Sequence, residues 1–360
     1  MSAARLPRDL HPVAWWVWAL GLATAASFTT NPLVLLTIIG VATIVVFARR
    51  SEQPWADSFR IYVMVAIVIV VMRVLFRVLL GGGADGGEVI LDLPEIPLPD
   101  FVLGLHLLGP VTRESLLAGL YDGLRLATIV ICVGAANSLA NPKRLLRSVP
   151  AALHEVGAAM VVAVTVLPQL ADSARRVRAA QALRAGDTRR GALLRRFLVP
   201  VLEDALERSL RLAAGMDTRG YGRSGGASRG ERRVTGALML GGLCGVCVGV
   251  YAGLDHTVPR LLAMPMLAAG VAAAVTGLVT AGRRVGRSTY RPDPWLWPEF
   301  GVMLCGIATA VVAWWVAGHQ LPIAYPDLST FPEVTLVALV GSVLGLLPAA
   351  IAPEPRVVAA

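Results

Sequence analysis

Charged residues are scarce in this chain. They make up 16% of its 360 residues, where a soluble domain of this size carries about a quarter. With 56% hydrophobic residues and a mean hydropathy of +0.65, the shortfall excludes an ordinary soluble domain. Cysteine is scarce too: Cys132, Cys244, Cys247 and Cys305 all lie inside apolar runs. Cys244 and Cys247 have redox spacing, but no basic neighbour in their span would hold a thiolate, so all four read as small packing residues. A nucleotide-binding loop is missing as well. Gly81–Gly87 lacks the following Lys-Ser/Thr and no strand precedes it, so it reads as a flexible linker. There is no His/Cys metal spacing, no intramembrane pair of acids, and no aromatic-interleaved basic motif for nucleic acid. No residue combination supports catalysis, a cofactor or a metal site.

What the chain does have is long apolar runs, several near the roughly 20 residues needed to cross a bilayer. Four precede residue 150: Val13–Phe28, Leu33–Ala48, Ile61–Leu80 and Ser115–Leu139. The first carries Trp15, Trp16 and Trp18, which suit a membrane interface. The third carries Arg73 and Arg77 on one helical face, where snorkelling to the interface is expected. Four more runs follow residue 233: Thr235–Leu254, Leu261–Gly282, Phe300–Gly318 and Val334–Ile351. Basic clusters at Arg49–Arg60, Lys143–Arg147 and Arg283–Arg291 mark one side. The loop from Gly81 to Pro110 has acids and no Lys or Arg, which marks the other. The expected fold is all-α and polytopic, with about eight transmembrane helices and both termini cytoplasmic. The run Ala151–Leu170 is flanked by basic clusters on both sides, so an interfacial segment is expected there, with Pro168 bending the chain out of it. His154 and Glu155 within it read as a satisfied polar pair.

The stretch Pro168–Arg233 is different in kind. Residues 170–233 hold fifteen arginines against seven acids, which is +8 of the chain's net +9. Such a patch suits anionic headgroups or an acidic partner. Two amphipathic segments run through it, with apolar stripes at Leu170, Ala174, Val177, Gln181 and at Leu202, Leu206, Leu210, Ala213. Each stops at an arginine with a glycine one or two residues on, and glycine in the left-handed conformation ends a helix. The loop Asp187–Pro200 between them suits headgroup contact. Glu203, Asp204 and Glu207 then fall at a helix start after Pro200, where acids favour the dipole.

The pattern Ala180-Gln181-x-x-Arg184-Ala185-Gly186, followed by Met216-Asp217-Thr218-Arg219-Gly220-Tyr221-Gly222, resembles the T component of energy-coupling factor transporters, over about residues 10–230. The resemblance implies two cytoplasmic coupling helices, each ending in a triplet that inserts into a groove of an ATPase subunit. Here the triplets are Leu183-Arg184-Ala185 and Thr218-Arg219-Gly220, which keep the arginine and lose the leading alanine. Arg184, Ala185, Gly186, Thr218, Arg219 and Gly220 are then the ATPase contacts, supported by Ala180, Gln181, Met216, Asp217, Tyr221 and Gly222. The implied partners are two ATPase subunits, a separate substrate-binding S component that selects a vitamin or metal ion, and membrane lipid. Asp122-Gly123-Leu-Arg125 faintly resembles a phosphatidyl-alcohol transferase signature, but no further aspartate occurs before Asp172. The division expected is a bundle at 1–149, an interfacial segment with coupling helices at 150–233, and membrane spans at 234–360, the last three an extension. A membrane enzyme or a membrane-anchored regulator stays open as the alternative.

Overall fold

The computed structural model describes residues 8–51, 58–80, 88–92, 94, 96–97, 106–148, 154–183, 190–218, 220, 228–254, 260–284 and 295–355. They form two compact units. One joins Met1–Leu145 to Asp293–Ala360; the other is Leu146–Pro292.

The first unit is built from α1 (Pro12–Ser27), α2 (Pro32–Arg49), α3 (Ser58–Leu80), α4 (Arg113–Leu139), the short α5 (Pro142–Arg147), α10 (Trp297–His319), α11 (Leu321–Ala324), α12 (Leu336–Leu344) and α13 (Pro348–Ile351). Local sequence sets the starts. Proline at the first helical position follows an N-cap whose side chain accepts a backbone N–H, His11 before α1 and Asn31 before α2. Thr112 caps α4 by accepting from the Ser115 amide at 3.2 Å. The acidic loop before α4 is not wholly irregular. β1 (Val89–Leu91) pairs antiparallel with β4 (Val111–Thr112), and β2 (Ile96–Pro97) with β3 (His106–Leu107). Gly81–Gly87 lies outside the described residues.

Packing in this unit ignores sequence distance. α10 lies along α1, and α12 and α13 close over α2. The approach of α10 is permitted by glycine: a Cβ on Gly306 would sit 2.5 Å from the Trp18 Cα. Of the three tryptophans expected at an interface, Trp15 and Trp18 are core and Trp16 is half-buried. Trp18 is 0% and Trp15 4% exposed, and the Trp18 indole N–H donates to the Gly345 carbonyl at 3.0 Å. Where α1 passes to α2, the Thr29 hydroxyl donates to the Ala324 carbonyl (2.8 Å), while the Asn31 amide donates to those of Ile323 (2.9 Å) and Glu333 (2.8 Å). Arg125, midway along α4, donates to the Ser27 carbonyl, so a cation stands at the negative end of the α1 dipole. Asp122, one turn earlier, is exposed. α3 turns Met64, Ile67, Val68 and Val71 outward, as lipid-facing residues do. Arg73 and Arg77 on it are exposed.

The second unit contains α6 (His154–Leu183), α7 (Arg190–Thr218), α8 (Arg229–Leu254) and α9 (Arg260–Arg284). α8 and α9 are in close backbone contact; a Cβ on Gly270 would lie 2.5 Å from the Val246 nitrogen. Small residues of this kind are what draw helices together where lipid competes for apolar surface. Cys244 and Cys247 are exposed on α8, so they are not core packing residues, whereas Cys132 and Cys305 are buried; all four are free thiols.

Among the described residues seven helices are long and apolar enough to cross a membrane. They differ from the expected spans in three ways. α1 has 16 residues, a rise of about 24 Å, and the run near the C-terminus is broken around Gly345 into α12 and α13. Conversely, α6 qualifies by length and composition over Val156–Ala180.

Candidate functional site

The sequence points to a bend at Pro168 and a loop from Asp187 to Pro200; the helix is continuous at the first, and the described part of the second, from Arg190 on, is helical. α6 runs unbroken through Pro168 and α7 through Pro200. A proline inside a helix forfeits one backbone bond and crowds the preceding turn. That cost is local, and here both helices continue on the far side. Apolar spacing at Leu194, Phe197, Leu198, Val201 and Leu202 already points to a helix that begins before Pro200. The expected headgroup loop 187–200 thus contributes its last eleven residues to α7.

This changes the role of the acids. Asp204 and Glu207 sit mid-helix, not in a first turn, and each pairs with an arginine one turn on. The Arg208 guanidinium donates to the Asp204 carboxylate at 2.9 Å, and Arg211 pairs with Glu207. Asp204 is also the point where α7 meets α6. The Ser173 hydroxyl, on a residue 2% exposed, bonds its carboxylate, and Arg176 approaches to 3.6 Å. The Ser173 bond, with Arg208 and then Arg176 adding to it, holds the Asp204 carboxyl below its ordinary value. Sequence reading missed this junction. The spacing of Asp204 with Arg208 was its visible signal, whereas Ser173 offered none.

With Asp204 turned towards α6, the apolar stripe of α7 faces outward. Leu202, Leu206 and Leu210 are each more than 60% exposed. On α6 the expected stripe is half-buried at Leu170, Ala174 and Val177.

The expected contact residues divide between the two helix ends. α6 is described to Leu183, whose side chain is exposed; Ala180 is exposed on its last turn. Arg184, Ala185 and Gly186, and the side chain of Gln181, lie outside the described residues, as do those of His154 and Glu155. The end of α7 is clearer. Met216 is half-buried, and Asp217 and Thr218 are exposed. The Thr218 hydroxyl donates to the Gly215 carbonyl at 3.0 Å. Gly220 takes φ +76° and returns its N–H to the Asp217 carbonyl at 2.9 Å. This is the left-handed glycine stop expected from sequence, two residues beyond the last helical residue, Thr218. Arg219, Tyr221 and Gly222 lie outside the described residues.

A polytopic, all-α membrane protein with an arginine-rich amphipathic helix pair is the class these features define. The chain belongs to the CbiQ family, described as cobalt transport protein, whose family model matches residues 3–229. It is also 30% identical over 218 residues to the energy-coupling factor transporter transmembrane protein EcfT of Bacillus selenitireducens, an overlap of 57% of this chain and 75% of that protein. The family match closes at the first residue of α8, so α6 and α7 fall inside it and α9 to α13 beyond it.

Proposed function

We propose that this transmembrane transporter component is the coupling subunit of an energy-coupling factor importer, with α6 and α7 as its coupling helices. Arg184 and Arg219 each enter an acidic groove of one of two ATPase subunits and make charge-assisted, bidentate hydrogen bonds there. Ala185, Gly186, Thr218 and Gly220 let the chain approach closely, and Ala180, Gln181, Met216, Asp217, Tyr221 and Gly222 hold the two ends. Closure of the ATPase pair on ATP draws the helix ends together. The movement passes through the junction at Asp204 and tilts a separate substrate-binding membrane subunit, which releases a vitamin or transition-metal ion inward. On this reading the chain does no catalysis itself, binds no nucleic acid, and sits in the cell membrane with both termini cytoplasmic. The apolar half of α6 lies along the membrane interface.

The observation that carries the proposal is the end of α7. An amphipathic helix stops at a left-handed glycine, directly after an arginine, within the family match. Its outward stripe of Leu202, Leu206 and Leu210 supports the same reading, because an exposed apolar face on a basic helix needs lipid or a protein surface to cover it. The test is co-purification with the ATPase subunits. Arg219→Glu is expected to cut their retention strongly, Arg184→Glu less, and a reversed charge at a buried contact costs about 2–5 kcal/mol. Full retention by the double variant, with normal membrane insertion, would sink the proposal.

A further inference from the structure

We propose that the basic mouth of the first unit is a binding site for the phosphate of an anionic phospholipid headgroup. Three apolar helices reach the same level there. α2 closes at Arg49 with Ser51 just beyond, α4 closes at Leu139 with Asn141 just beyond, and α1 opens at Pro12 just after Arg8 and Asp9. Between these ends lies a small, open cleft lined by Arg8, Asp9, Arg49, Ser51, Asn141 and Arg144, among others. The apolar spans stop at this level, which is headgroup depth.

The cleft is cationic, and its guanidinium groups are already held. Arg8 donates both Nη atoms to the buried Glu299 carboxylate at 2.8 and 2.9 Å, which cancels one charge. Its Nε–H is buried and finds no acceptor among the described residues. Arg144 donates to the carbonyls of Asp9 (3.2 Å) and Leu10 (3.3 Å) and stands 3.7 Å from the Asp9 carboxylate. Arg49 is clamped by the Ala349 carbonyl, to which its Nε donates at 2.9 Å. Among the described residues no carboxylate comes within 4 Å of it, and its Nη1 makes no hydrogen bond. Three arginines against Asp9 and Glu299 leave the site with one positive charge in excess. A phosphate oxygen is the acceptor that matches such a fork of fixed donors, because little side-chain order remains to be imposed on binding. Basic pockets between transmembrane helices take anionic headgroups by this chemistry. The donor set would equally accept free phosphate. The position favours the lipid: within two turns of Arg49, α2 exposes Ile44 and Phe47 where acyl chains run, and Arg50 stacks over the Phe47 ring at 5.1 Å.

The experiment is native mass spectrometry of the delipidated full chain, titrated with phosphatidylglycerol, phosphatidylcholine or inorganic phosphate. Phosphatidylglycerol is expected to bind at least about ten-fold tighter than phosphatidylcholine. Arg49→Gln and Arg144→Gln are each expected to weaken phosphatidylglycerol about five-fold, and together about 25-fold, with phosphatidylcholine unchanged. Equal affinity for the two lipids would overturn the site. Displacement of the lipid by inorganic phosphate at matching concentration would overturn its assignment to a headgroup. If Arg49→Gln loosens the bundle through Ala349, Arg144→Gln alone carries the measurement, and unchanged phosphatidylglycerol binding there overturns the proposal.

Discussion

Gly306 of α10 rests on the backbone of Trp18 in α1, so closely that a side chain there would start 2.5 Å from the Trp18 Cα. Two backbones that meet this way exclude both lipid and any larger residue. Gly306→Ala is therefore expected to lower stability by about 1–3 kcal/mol, because the helices must part to admit the methyl. Gly40→Ala is the control, since nothing lies within 4 Å of its added Cβ. Thermal unfolding in detergent should show a clear drop for the first and none for the second. Equal melting would mean that α10 does not pack on α1 as described.

The pair Arg8 and Glu299 joins the two ends of the first unit, and the carboxylate is 0% exposed. Removing one member of such a pair strands the other, at a cost of about 3–5 kcal/mol. Glu299→Gln should lose that much, and the double variant with Arg8→Gln should recover most of it. A double-mutant cycle that finds the two losses simply additive would show the pair to be uncoupled.

A pH effect follows from Asp204. Its carboxyl is held below the ordinary value of 3.8, so the folded state favours the ionised form. The tie from α7 to α6 is then at full strength above 3.8 and is lost as pH falls through the folded-state value. Hydrogen exchange on the α7 turn around residues 201–208 should rise a few-fold over that fall. Asp204→Asn should abolish the pH dependence; if it persists in that variant, the junction is held by something else.

The apolar half of α6 is expected to lie along the membrane and not through it. Single cysteines at Lys143→Cys and Arg178→Cys, in a cysteine-free background, should both resist an impermeant thiol reagent applied from outside. Labelling of only one would show a true crossing.

Much of this fold was legible because its signals are local. The apolar runs gave the polytopic class, Asn31-Pro32 gave the start of α2, and Gly220 gave the end of α7. The wrong readings came where one residue was given too much weight. Pro168 reads as a bend and Pro200 as the approach to a helix start, yet both lie inside helices of 30 and 29 residues, because apolar spacing continues across them and a single missing bond does not end a helix. The tryptophans of α1 read as interfacial because their partner is α10, nearly 300 positions away, and no window on the sequence reaches that far. Ser173 is ordinary by composition; only its place opposite Asp204 makes it part of the junction.

The reach of α10 back to α1 also sets an order of events during synthesis. α1 leaves the ribosome first, and the residue that neutralises Arg8 follows 291 positions later. At cellular elongation rates that gap lasts on the order of 15–60 s. Over that interval Trp18 lacks the Gly306 backbone that later covers it, and a 16-residue helix is short for a secure anchor on its own. The first unit is thus completed last, when the C-terminal segment arrives to cover a helix made at the beginning. A stalled or clipped chain would present the same uncovered surface, which gives membrane quality control a distinct feature by which to recognise an unfinished copy.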